Sequence, residues 1–202
     1  MPDAAQIFTF LFLMLGPFKI IGPFAKMTQA ADRPLARKLA LRAFIYSSIA
    51  LLLAAIIGEN VLLKFGIPVP ILAMAGGIIL FLVALLNIIH QFAPSDAPTN
   101  QVAVPPTLNM AVSPLAFPTI VTPYGIAAVI VLMALSPDLN SKLIVGAIVV
   151  GIMLVNLGFM MMGRKVLKIF LVILPVLGAI LGVVQVALGL MIMYNQFKIL
   201  FP

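Results

Sequence analysis

The chain contains no cysteine, a single histidine (His90), and five acidic residues among 202. Without cysteine there is no disulfide framework, no iron–sulfur cluster and no thiol nucleophile. One histidine excludes a bis-histidine haem or a multi-histidine metal site, so no metal site and no cofactor is expected. Charge of either sign is scarce: 8% of residues are Asp, Glu, Lys or Arg, against roughly a quarter in soluble domains. That leaves too little polar surface to cover a globule in water, which rules out a cytosolic enzyme, a secreted domain and a disordered regulator. Hydrophobic residues make up 64% of the chain and the mean hydropathy is +1.27. An all-α integral membrane protein remains, as one transmembrane domain over residues 1–202 with the lipid bilayer as its solvent.

A spanning helix needs about 20 mostly apolar residues. Six segments qualify: Ile7–Ala25, Ala40–Ile57, Ile71–Ile89, Asn109–Leu135, Leu143–Met162 and Ile169–Tyr194. The longest connection, Gln91–Thr107, holds Pro94, Pro98, Pro105 and Pro106 and reads as an irregular loop. The first segment reads as a span rather than a signal peptide, because Asp3 precedes it and Gly16-Pro17, Lys19 and Gly22-Pro23 interrupt it.

The net charge of +7 would suggest nucleic acid in a soluble protein, but here the basic residues flank hydrophobic segments and report topology instead. Lys26, Arg33, Arg37, Lys38 and Arg42 border the first connection, and Arg164, Lys165 and Lys168 fill the fifth. With six alternating helices these eight share one side, against Lys64, Lys142 and Lys198 on the other. The expectation is that the basic side is cytoplasmic and both termini lie outside, in the periplasm.

The two halves, about 1–100 and 101–202, resemble each other. Pro17 pairs with Pro118, Pro23 with Pro123, Gly58 with Gly158 and Gly76 with Gly178, at offsets of 100 to 102 positions. Three spans per half is an odd number, so the second half enters the membrane from the opposite face. This predicts two inverted-topology three-helix repeats, an architecture common among secondary transporters.

In each half the first helix carries a proline pair, and helices 1 and 4 are therefore expected to be broken, opening between Pro17 and Pro23 and between Pro118 and Pro123. Freed main-chain groups cannot face lipid. Paired broken helices are the best sequence pointer to a transport site: the half-helix after each break suits a carboxylate, and freed carbonyls suit an ammonium or a cation. Lys19 lies inside the first span. A central Lys costs about 2.5–3.5 kcal/mol on insertion scales. The apolar side chains from Ile7 to Phe24 return on the order of 4 kcal/mol. The segment still inserts, and the charge should face the bundle, although Lys19 could instead snorkel to the cytoplasmic edge. Candidate substrate-binding residues are Gly16, Pro17, Lys19 and Gly22 in the first break, Thr119, Thr122 and Gly125 around the second, and the in-span amides Asn87, Asn156 and Gln185. Asn87 shares a helical face with Gly76, while Gly178, Gly182, Gln185 and Gly189 share another. Close packing of the third helix of each repeat is the main use expected of these glycine faces. Glu59 and His90 are placed at helix ends.

The strings Gly16-Pro17 to Gly22-Pro23-Phe24, Ala75-Gly76-Gly77-Ile78-Ile79-Leu80-Phe81 and Ser113-Pro114-Leu115-Ala116-Phe117-Pro118 to Thr122-Pro123-Tyr124-Gly125 resemble the MarC family of bacterial inner-membrane proteins along nearly the whole chain. The resemblance implies a six-span fold, a bacterial inner membrane, and a relation to small neutral amino acid transporters and the wider LysE-type exporter group. Three departures fall at the proposed site. Gly16 stands where the family usually has Asn or Asp, Pro17 and Pro23 are six apart rather than five, and Ile71-Leu72-Ala73-Met74 lacks the Arg that relatives often carry.

The function expected is a secondary transporter, an exporter, of small neutral amino acids or similar zwitterions by alternating access, with no nucleic-acid partner and with homo-oligomerisation left open. The alternative is a non-transporting membrane subunit or scaffold that packs against a partner protein. An enzyme is not expected, since the five acidic residues Asp3, Asp32, Glu59, Asp96 and Asp138 are scattered at ends and connections.

Overall fold

The structure is a computed structural model that describes residues 4–92, 107–136, 138–162 and 164–201; within these, the side chains of residues 59, 63, 90–92, 164–175 and 177 are excluded. Residues 93–106 of the proline-rich connection, Asp3 and Asp96, and the side chains of Glu59, His90, Arg164, Lys165 and Lys168, lie outside the described set. All regular structure among the described residues is helical.

The first span is two helices, α1 (Ala4–Leu15) and α2 (Phe18–Met27), which together cover the 24 residues Ala4–Met27. At 1.5 Å per residue that is about 36 Å, enough to cross a hydrocarbon core of about 30 Å. Next come α3 (Arg33–Phe65) and α4 (Val69–Phe92). The fourth span opens with a 3₁₀ turn, Leu108–Ala111, and a wide π-type segment, Val112–Ile120. It bends by 64° into α5 (Pro123–Ala134). The chain ends with α6 (Leu139–Met161) and α7 (Arg164–Leu200). Counting the bent pair as one span, six segments among the described residues are long and apolar enough to cross a membrane, the number the hydropathy pattern predicts. The 33-residue α3 and 37-residue α7 overrun their apolar cores. A helix satisfies its own main chain, so it continues wherever a basic flank can stand in water.

The breaks occur at prolines, but not between each pair. The first falls at Gly16–Pro17, and α2 then runs straight through Pro23. Pro23 removes one donor and leaves the rest of a well-packed helix intact, so it does not open the segment. The fourth span is more irregular, because Pro114 stands beside Pro118 and Pro123. Each proline forces the residue before it out of helical geometry: Ser113 (φ −132°, ψ 129°), Phe117 (φ −130°, ψ 128°) and Thr122 (φ −91°, ψ 150°) are all extended.

The core centres on these breaks, with Leu11, Leu15, Ile20, Ile21, Leu115 and Ile152 almost fully buried. The outward face of α3 leaves Ile45, Ile49, Leu53 and Ile56 exposed at helical spacing, an apolar surface of the kind a bilayer accommodates. Helices α4 and α7 pack along their lengths. They approach backbone to backbone: a Cβ placed on Gly189 would sit 2.9 Å from both the Gly77 carbonyl oxygen and the Phe81 amide nitrogen. Gly182 and Gln185 are buried on the same face of α7, whereas Gly178 is exposed. Gly76 faces α5 instead, where its Cβ would meet Ala127 at 3.0 Å. Asn87 is exposed on α4.

Asp138 caps α6: its carboxylate accepts from the Ser141 hydroxyl (2.6 Å) and the Ser141 amide (3.2 Å). These bonds hold its pKa below the usual carboxylate value of 3.8, the hydroxyl contributing most.

Two outcomes are expected. Gly189→Ala should destabilise the bundle by about 1–3 kcal/mol, because backbone atoms cannot yield to the added methyl. Gly158→Ala, where a Cβ would meet nothing within 4 Å, should stabilise by about 0.5–1 kcal/mol through helix propensity; reversible denaturation in mixed micelles reads both. A depressed folded-state pKa means the Asp138 cap contributes above its unfolded pKa and is lost as pH falls through the folded one. Amide exchange at the start of α6 should therefore accelerate relative to the rest of the helix below about pH 4, and Asp138→Asn, which keeps the cap without the titration, should abolish that trend.

Candidate functional site at the first helix break

Proline has no N–H, so Pro17 leaves the Leu13 carbonyl without its main-chain donor. The turn that would have served Met14 and Leu15 belongs to α2, and among the described residues no main-chain bond from α2 reaches them. Three consecutive carbonyls are thus stranded at the end of α1, in a region without water to satisfy them. Each is met by one side chain from a different helix. Gln185 Nε2 of α7 donates to Leu13 O at 2.7 Å. Lys19 Nζ of α2 donates to Met14 O at 3.0 Å. Asn156 Nδ2 of α6 donates to Leu15 O at 2.8 Å. Gly16 permits the break, since a Cβ there would lie 2.2 Å from Phe12 O, the acceptor of the Gly16 amide.

The start of α5 closes the site from the other side. Thr122 caps α5 by accepting from the Gly125 amide at 3.2 Å. Gly125 lets this helix end press on α1, where a Cβ would stand 2.6 Å from Leu15 Cδ2. The next residue after Pro123 is Tyr124, buried to 3% exposure. Its hydroxyl accepts a hydrogen bond from Lys19 Nζ, which lies 4.2 Å from its ring centroid. The negative end of α1 and the positive ends of α2 and α5 therefore converge on one lysine.

The Lys19 ammonium is bound by neutral oxygens, and among the described residues no carboxylate pairs with it. Lys19 Nζ makes two hydrogen bonds among the described residues, one fewer than an ammonium can donate. Asn156 is 1% exposed, and its Oδ1 has no hydrogen-bond partner among the described residues. An amine nitrogen with no carboxylate and an amide oxygen with no partner thus belong to the same break. Met14 and Tyr124 also line a cavity of about 180 Å³, together with Gly76, Ala127, Ile192 and Gln196; Lys19 and Asn156 are not among its lining residues.

Of the residues that the sequence singles out, Gly16, Pro17, Lys19, Thr122, Gly125, Asn156 and Gln185 come together here. Gly22 sits one turn further along α2, half-buried and without a polar contact role. Thr119 instead bonds back to Pro114 O at 2.7 Å, satisfying a carbonyl of its own irregular segment. Asn87 faces away from the cluster. Tyr124 and Gln196 are additions from the structure. The signal for Tyr124 was present in the sequence, as a polar-tipped aromatic directly after the second proline of its span.

Replacing Asn156 or Gln185 with Leu leaves a buried carbonyl unsatisfied, and each change should cost about 1–3 kcal/mol. Asn87→Leu should cost nearly nothing. Thermal unfolding of the three purified variants in one detergent checks the contrast.

The sequence profile of the MarC family integral membrane proteins matches residues 1–201. The chain is 30% identical to a UPF0056 membrane protein of Methanocaldococcus jannaschii over 138 residues, covering 68% of this chain and 67% of that one. It is 30% identical to a UPF0056 membrane protein of Archaeoglobus fulgidus over 141 residues (68% and 65%), and 27% identical to one of Aquifex aeolicus over 138 residues (68% and 64%). The matched region thus spans about two thirds of the length of each relative. No solved structure matches the chain. A profile match over essentially the whole length, on a bundle whose proline breaks and glycine contacts fall within the matched region, settles the classification: the chain belongs to the MarC family of integral membrane proteins.

Proposed function

We propose that the chain is a secondary transporter of small neutral amino acids or similar zwitterions, working as an exporter by alternating access. The observation that carries this reading is the Lys19 ammonium, held by neutral oxygens at a helix break with one proton to spare. A charge buried among neutral groups is costly, and an anionic group of a substrate would compensate it. The positive ends of α2 and α5 favour a carboxylate at the same place. Asn156 Oδ1, buried and without a partner among the described residues, would accept from the substrate's ammonium. The adjoining cavity, about 180 Å³ and mostly apolar, favours small side chains.

Movement follows from the same elements. Half-helices whose ends meet at one point can rock about it while their internal bonds stay intact. In this reading the two halves act as inverted repeats, with the basic connections cytoplasmic and the termini in the periplasm of a bacterial inner membrane. Energy would come from an ion or substrate gradient.

Proteoliposomes loaded with glycine, alanine, serine or threonine test the reading. Counterflow of at least one should be saturable, and Lys19→Met should lower it at least tenfold, the loss of one charge-assisted contact of about 1.4 kcal/mol or more. Absence of exchange across the panel, with and without an imposed pH gradient, would sink the proposal.

A further inference from the structure

We infer that Lys19 is a resident cation: its ammonium fills an oxygen cradle at the broken end of α1 that, without it, takes a free monovalent cation. The end of α1 is the negative end of a helix dipole, and its last carbonyls are stranded by the Gly16–Pro17 break. Neutral amides from Gln185 and Asn156 occupy the outer two, Leu13 O and Leu15 O. The middle one, Met14 O, is bound by a positive charge. The ammonium's other contact is the Tyr124 hydroxyl. Asn156, whose nitrogen is fixed on the very next carbonyl, is 1% exposed, and its Oδ1 has no hydrogen-bond partner among the described residues, the ammonium included; it is the oxygen left over for a free cation to recruit. Carbonyl, amide and hydroxyl oxygens around a broken helix end are the donor set that unwound membrane helices use for small monovalent cations.

The charge count selects a monovalent ion. Every oxygen in the cradle is neutral, and among the described residues no group of three or more His, Cys, Asp or Glu gathers anywhere that could hold a divalent metal. The tether is short: Lys19 lies two residues past Pro17, on the first turn of α2, and its side chain folds back across the break to a carbonyl five residues earlier. The chain therefore supplies at this position a charge that cannot dissociate from it. The protein should be indifferent to the identity of the alkali cation in its buffer for as long as Lys19 is present. This inference goes beyond the transport reading, and a stability readout lets either stand or fall without the other.

The test uses the full chain in lipid nanodiscs, as wild type, Lys19→Ala and Lys19→Met. Thermal midpoints are measured in sodium, potassium, propylammonium and choline chloride at equal ionic strength. Wild type should melt at one temperature in all four. At least one variant should melt roughly 3–6 °C higher in sodium, potassium or propylammonium than in choline, which is too bulky for the cradle, once the cation reaches about ten times its Kd. Equal midpoints in all four salts for both variants would overturn the inference, and so would a wild type that gains as much from the small cations. Failure of both variants to fold in every salt, propylammonium included, would overturn it as well, because a free cation would then not replace the tethered one.

Discussion

Everything near the centre of this molecule follows from a need for hydrogen-bond donors where there is no water. Breaking α1 at Gly16–Pro17 strands the carbonyls of Leu13, Met14 and Leu15, and each buried carbonyl left alone would cost about 1–3 kcal/mol. Three side chains from α2, α6 and α7 answer them one to one. In a bundle otherwise packed mainly by apolar side chains, these bonds fix how the helices rotate about their axes. Dispersion contacts among apolar side chains are non-directional and would tolerate several rotations.

Glycine supplies the second constraint. At Gly189 the main chain of α4 approaches so closely that no Cβ fits, and at Gly125 the start of α5 presses on Leu15. The first contact ties α4 to α7, and the second brings the capped end of α5 to the break. A Cβ at Gly125 would have to displace Leu15 Cδ2 and the Thr122 hydroxyl that caps α5. The outward faces carry no such requirement: α3 leaves isoleucine and leucine exposed, where any apolar residue serves.

The chemistry of the break is that of a positive charge held by neutral groups. Most buried lysines are paired with a carboxylate; among the described residues this one has a carbonyl and a phenol. Such a charge is stabilised by the α1 dipole end, and it leaves a field that an anionic ligand can use. Under the proposed transport function, the same ammonium would hold the broken helix together through Met14 and Tyr124 and would attract a substrate carboxylate through its remaining proton.

The number of candidate spans and the positions near which two of them break were legible in the sequence, because each depends on local rules: the length of an apolar run and the missing N–H of proline. Whether Lys19 turns into the bundle or snorkels to an edge was not, since both offset the cost of a charge in hydrocarbon. The glycine face of α7 was legible in part: helical periodicity groups Gly178, Gly182, Gln185 and Gly189, and the last three are buried while Gly178 is exposed. Periodicity does not say which neighbour a face meets. Gly76 turned out to face α5 while Gly77 meets α7, Asn87 points away from the site, and Thr119 satisfies its own segment. Nor could two prolines in α1–α2 say which one breaks the span, as Pro23 is absorbed where packing compensates one lost bond. By itself the sequence determined a six-span apolar chain with weak points at its prolines. Only the tertiary structure decided that three stranded carbonyls, one lysine, one tyrosine and two amides would meet, because that depends on the relative rotation of five helices, which side chains from distant parts of the chain fix together.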